Sequence, residues 1–146
     1  MDKRRAEGYN PKKIGEKTEA KIISCLIDND KVVLIPFGDN QRYDLVIDEN
    51  GVFQRIQCKT GRLKNGAISF QTSSSSYHRN GKRHSYRGEI DYFGVYCPEN
   101  RKCYLVPVEE VGTTFAKIRV MPAANGQEKN INWATDYEMP DGHLNL

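Results

Sequence analysis

The stretch RYDLVIDENGVFQRIQCKT, residues 42–60, decides how this chain is read. Two alternating runs flank the turn signal Glu49-Asn50-Gly51, the pattern of a β-hairpin. On the first run Tyr43, Leu45 and Ile47 share one face, with Asp44, Val46 and Asp48 on the other. On the second, Phe53, Arg55, Gln57 and Lys59 share a face, with Gln54, Ile56 and Cys58 opposite. Gln57 and Lys59, two apart, project together, and an even hairpin register adds Asp44 to them. An acid, an amide and an amine thus gather on a sheet. Burying such groups costs free energy unless they partner one another or a ligand.

Upstream, Ile14, Thr18, Ile22 and Leu26 recur at fourfold spacing and predict a helix over residues 14–28. Gly15, Glu19, Ile22, Ile23 and Leu26 share a face, so Glu19 points toward the apolar side. Between helix and hairpin, KVVLIPF is a short apolar strand ended by Pro36. Downstream, AISFQT is a strand candidate, followed by a Ser-rich, basic stretch without hydrophobic period that reads as an exposed arm. EIDYFGVYC and KCYLVPV form a second hairpin candidate, PVEEVG begins like a short helix, and FAKIRV is a last strand. The remainder is polar with scattered anchors, Ile131, Trp133 and Tyr137. Helix, strands, arm, strands, short helix and strand predict an α/β or α+β sandwich around a mixed sheet.

The 146 residues suit one domain, with a core over about 14–121, an arm over about 61–88 and a tail over about 122–146. The composition, 38% hydrophobic and 28% charged, is that of an ordinary globular chain. No apolar run approaches the roughly 18 residues that span a bilayer, and MDKRRAEGYNPKK lacks an apolar signal region, so the expected location is the cytoplasm. Cys25 and Cys58 read as small core residues. Cys97 and Cys103 flank the turn PENRK, where a hairpin would let them face each other. His78 and His84 with these two cysteines lack the short spacings of a zinc set.

The net charge of +3 conceals a division. Residues 51–88 carry eight Lys or Arg and no acid, whereas residues 89–146 carry nine acids and five bases. One basic side suits a polyanion. Arg62, Lys64, Ser73, Tyr77, Arg79, Lys82, Arg83, Tyr86 and Arg87 in the arm, with Lys12 and Lys13 at the helix start, are the candidate contacts to such a partner.

Glu19, Asp44 and Gln57 offer the oxygens that a hard divalent cation selects, and a lysine beside it, Lys59, can orient water and stabilise charge growing on phosphate. The order Glu19, Asp44, then Gln57-Cys58-Lys59 resembles the PD-(D/E)XK nuclease superfamily. The stretch GEIDYFGVYCPENRKCYLVPVEEV is similar to the bacterial group I intron-encoded homing endonucleases of that type. The resemblance covers roughly residues 14–110. It implies a restriction-endonuclease-like core, a mixed central sheet flanked by helices with a basic β-arm, and Glu19, Asp44, Gln57 and Lys59 as catalytic residues. It implies Mg²⁺ at Asp44, Gln57 and Glu19, with Mn²⁺ as a substitute, and site-specific cutting of double-stranded DNA by a homo-oligomer, at least a dimer and by the homing resemblance a tetramer. Gln57 departs from the family's acid. Either Glu19 supplies the missing carboxylate, or the site has decayed and the protein only binds DNA. A Holliday-junction resolvase shares the same core.

Overall fold

A computed structural model describes residues 10–38, 40–75 and 83–140. Helix α1 spans Pro11–Asp28. Asn10 caps it, its side chain accepting from Lys13 N (3.3 Å), and Pro11 fills the first turn, where no N–H is required. Thr18, Ile22 and Leu26 form its buried stripe. The helix therefore starts three residues before the periodicity predicts, because the cap sits in the polar segment ahead of the first apolar residue.

Five strands make the main sheet: β1 (Val32–Leu34), β2 (Leu45–Glu49), β3 (Val52–Thr60), β8 (Tyr92–Cys97) and β9 (Lys102–Pro107), in the order β1-β2-β3-β8-β9. Only β3 and β8 run parallel. The crossover between them carries β4 (Arg62–Lys64) and β5 (Ala67–Gln71), which pair with β10 (Phe115–Arg119) as a second sheet. It also carries a two-stranded ribbon of β6 (Ser73–Ser75) and β7 (Arg83–Ser85). The segment read as an arm from residue 61 is thus half sheet. AISFQT alternates Ile68 and Phe70 into the core, and only the Ser-rich part continues into the ribbon.

α1 lies on one face of the main sheet, over Leu45, Ile47 and Ile56, with Cys103 in the same cluster. The other face, with Phe93, Val95, Tyr104 and Val106, packs on Ile68, Phe70 and Ile118 of the second sheet. One α-helix and a small sheet therefore flank the mixed central sheet among the described residues, the α+β restriction-endonuclease-like core expected, with a single flanking α-helix. The tail folds back along β9: Leu105 N donates to Tyr137 O and Met139 N to Cys103 O, both at 2.9 Å.

Cys97 and Cys103 do not meet. The β8–β9 register pairs Cys97 with Lys102 and Tyr96 with Cys103, so the two thiols lie in separate core clusters on opposite faces of the sheet. The Cys103 thiol instead lies against that of Cys25 on α1, at 2.7 Å.

Gly61 joins β3 to β4. A Cβ here would stand 2.6 Å from Ile68 Cγ2 and 2.9 Å from Val95 Cγ1, so the chain passes between the two sheets only without a side chain. Gly61→Ala is expected to cost about 1–3 kcal/mol by overpacking, lowering the urea midpoint; an unchanged midpoint would show that these neighbours yield freely.

Candidate active site

β2 is shorter than β3. Its ladder ends at the Leu45–Ile56 pair, while β3 runs on through Gln57, Cys58, Lys59 and Thr60 with β8 along its other side. The strand edge that β2 leaves would present unpaired backbone groups, which cost free energy when shielded from water. Asp44, just ahead of β2, closes it. Its N–H donates to Ile56 O (2.9 Å), and its carboxylate Oδ2 accepts from Cys58 N (2.9 Å). The side chain occupies the place of the next ladder acceptor, so Asp44 is held beside Gln57 and Lys59 by the sheet itself.

Gln57 and Lys59 pair with Phe93 and Val95 and face the second-sheet side, whereas Ile56 and Cys58 face α1. Glu19, half-buried on α1, therefore approaches from the opposite side of the strand to Lys59. Its charge is felt by Asp44 and by Cys58, so Glu19 reaches the edge of β3 from the α1 side rather than from the face that carries Lys59. Burial raises the Glu19 carboxyl above its usual pKa, and the Asp44 charge adds to this, followed by that of Glu16. Burial also raises Asp44, against the opposing pull of the Cys58 N–H and the Lys59 ammonium. The Cys58 thiol is pushed far up by burial and by the charges of Asp44 and Glu19, so it is inert packing.

Two carboxylates that both resist ionisation on one strand edge suit a divalent cation, which would relieve the repulsion and replace lost water. Among the described residues no three His, Cys, Asp or Glu side chains come together as a ready cage. The donor set fits an ion of the Mg²⁺ type, which takes one or two carboxylates and completes its shell with amide oxygen, water or substrate phosphate. Glu19, Asp44 and the half-buried Gln57 amide are the residues that would hold it.

Lys59 Nζ donates to Tyr86 Oη (3.4 Å) and stands 4.9 Å from the centre of that ring. Tyr86 is buried, edge-on to Phe93 at 5.6 Å, and Ser73 is buried with its hydroxyl donating to Thr114 O (3.4 Å). Ser73 and Tyr86, expected as DNA contacts, are thus buried among the described residues. Lys12, Lys13 and Lys64 are exposed. Arg62 pairs with Glu99 (3.5 Å), and Arg87 donates to Val111 O (2.7 Å). Arg83 lies on β7, paired through its backbone with Ser75. Its side chain, and Tyr77, Arg79 and Lys82 altogether, lie outside the described residues, as does His78. Sequence reasoning passed over Arg42, whose only signal was its place two residues before Asp44.

A short acid at the end of one strand, a lysine on the next and a helical glutamate near the shared edge could hold a divalent cation beside an ammonium, the groups that metal-dependent phosphodiester cleavage uses. The chain belongs to the PD-(D/E)XK endonuclease family, whose profile matches residues 9–140. It is a metal-dependent endonuclease. Its structure is similar to that of a bacterial homing endonuclease, I-Ssp6803I, with a TM-score of 0.68 and 25% sequence identity over 88% of each chain. No curated protein sequence matches significantly. No helix among the described residues is long and apolar enough to cross a membrane.

Because both carboxyls hold protons more tightly when folded, stability falls as pH rises from the ordinary carboxylate range through their raised values. Asp44→Asn keeps an oxygen for Cys58 N and removes the charge. It is expected to raise the metal-free melting temperature at pH 7 by roughly 2–4 °C, to leave it unchanged near pH 3, and to abolish cutting. A lower melting temperature at pH 7 would show that the charge stabilises the fold.

Proposed function

We propose that this chain is a site-specific double-strand DNA endonuclease of the homing type that works with Mg²⁺, Mn²⁺ substituting. The observation that carries the reading is the Asp44 carboxylate held on Cys58 N between Lys59 and the charge of Glu19. The cation would polarise the scissile phosphate and its bound water. Asp44, Glu19 and the Gln57 amide oxygen would bind it. With two carboxylates present, Gln57 need not be an acid. Lys59 orients the attacking water and meets the negative charge that develops on the phosphate oxygens. The exposed Lys12, Lys13 and Lys64, with Arg62, Arg83 and Arg87 and the residues between β6 and β7, would grip the duplex backbone.

One chain has one such site and a duplex has two strands, so a symmetric assembly, at least a dimer and in the homing reading a tetramer, would do the cutting. β1 supports this. It is an edge strand, and Val32, Leu34, Ile35, Phe37 and Phe53 around it are exposed, Phe37 completely. Such an edge is an aggregation hazard unless covered, and pairing with its own copy would cover it.

Lys59→Ala is expected to abolish Mg²⁺-dependent cleavage of a duplex selected from a randomised pool while DNA retention persists; full activity would remove Lys59 from the mechanism. The wild-type protein beside it decides the reading. Cutting of an unrelated four-way junction in preference to the selected duplex would make it a junction resolvase, and retention without product in Mg²⁺ a silent binding module. Magnesium at 10 mM is expected to stabilise the fold at pH 7, by about 1.4 kcal/mol for a Kd near 1 mM, and to lose this effect near pH 4 as the carboxyls take up protons. An effect independent of pH would place the ion elsewhere. Leu34→Glu is expected to lower the oligomeric mass in sedimentation, and an unchanged mass would move the interface away from β1.

A further inference from the structure

Arg42 makes more contacts than a surface arginine ahead of a strand requires. Its Nε pairs with Glu89. Its Nη1 donates to Ser74 Oγ (2.5 Å), and its Nη2 to Ser85 O (3.0 Å) and His84 O (3.4 Å). Ser74 lies on β6 and His84 and Ser85 on β7, so one planar fork holds both strands of the ribbon at its base. The guanidinium carbon also stands 4.0 Å from the centre of the Tyr86 ring. The phenol oxygen of that ring accepts from Lys59 Nζ.

Lys59 has a flexible four-carbon stem and a point charge with three donors, so its direction depends on what receives them. One donor is fixed by Tyr86 Oη, and the Asp44 charge lies nearby. The Tyr86 ring is wedged by the edge of Phe93 and by the face of Arg42, which set where that oxygen stands. Arg42 in turn leaves the backbone two residues ahead of Asp44. A single side chain thus spans three things: the segment that delivers Asp44, the ring that receives the lysine, and both strands of the ribbon.

We propose that Arg42 is a positioning residue: through Tyr86 it aims Lys59, and it fixes the ribbon in register with the active site so that a duplex seated on the ribbon meets an ordered ammonium. This rests on Lys59 acting in the cleavage step. Lysine at residue 42 would keep a charge over the ring but lose the fork, and phenylalanine at residue 86 would keep the ring but lose the oxygen that receives Lys59.

The test is single-turnover cleavage at saturating duplex, measured beside duplex affinity, for Arg42→Ala, Arg42→Lys, Tyr86→Phe and the double variant Arg42→Ala/Tyr86→Phe. Arg42→Ala is expected to slow cleavage roughly 30-fold and weaken binding by less than about threefold. Arg42→Lys should recover part of the rate, and Tyr86→Phe should slow cleavage about tenfold with affinity unchanged. The double variant should be slower than either parent by much less than the product of the two effects, because both act on one lysine. Multiplying effects, or a loss confined to affinity, would overturn the proposal. Should Arg42→Ala fail to fold, Tyr86→Phe and Arg42→Lys carry the same comparison, and wild-type rates in both would overturn it. Lys59→Ala separates the two levels: if it cuts normally the reading of the site falls, whereas an inactive Lys59→Ala beside unaltered Arg42 and Tyr86 variants removes only the positioning role.

Discussion

The arrangement depends on one hydrogen bond, from the backbone N–H of Cys58 to the carboxylate of Asp44. A strand longer than its neighbour must satisfy its protruding backbone, and the cheapest partner is a short acid at the end of the shorter strand. That solution has a chemical consequence. The acid that closes the ladder is carried beyond the last apolar pair, to the side of Gln57 and Lys59, where one oxygen is engaged by the backbone and the other remains for a ligand. The same edge is where α1 brings Glu19. One position thus closes the ladder and, in the proposed reading, would also hold the cation; burial raises the pKa of both carboxyls.

The rest of the molecule holds this edge still. The apolar stripe of α1 seats on Leu45, Ile47 and Ile56, and Gly94 lets the helix come close: a Cβ there would lie 3.0 Å from Ile56 Cγ2 and 3.1 Å from Ile22 Cγ2. On the other side, Phe93 and Val95, the β8 partners of Gln57 and Lys59, are locked into the cluster made with the second sheet. β3 is therefore clamped from both faces along the residues that matter. Gly61 then turns the chain out of the main sheet within two residues of Lys59, so the second sheet and the ribbon start from a point fixed relative to the active strand.

Much of this was legible in the chain. The fourfold spacing of Ile14, Thr18, Ile22 and Leu26 and the alternation on either side of Asn50-Gly51 gave helix and hairpin their places, because burial imposes those periods directly. The side-by-side placing of Gln57 and Lys59 on one face followed from strand alternation, and Asp44 reaches them from the end of the neighbouring strand. What failed had a physical reason in each case. The sequence does not say which face of a sheet a helix covers, so Glu19 was expected on the side of Lys59. The hairpin left open whether Cys97 and Cys103 face each other, and a one-residue offset in it sends the two side chains to opposite faces. Ser73 and Tyr86 sit in a stretch whose composition reads as exposed, yet tertiary packing buries both. Arg42 carries little local signal beyond its place two residues before Asp44, since its side-chain partners lie 32 to 47 residues downstream.

In the proposed site Asp44 and Glu19 meet one cation at the edge of β3. The most direct measurement is a crystal structure grown with Mn²⁺ and recorded at a wavelength where manganese scatters anomalously. The expected result is a single peak per chain within coordination distance, roughly 2.1 Å, of an Asp44 and a Glu19 carboxylate oxygen, with Lys59 Nζ facing the ion's water shell. A peak on other residues, or well-ordered Asp44 and Glu19 side chains with no peak between them at saturating metal, would contradict it.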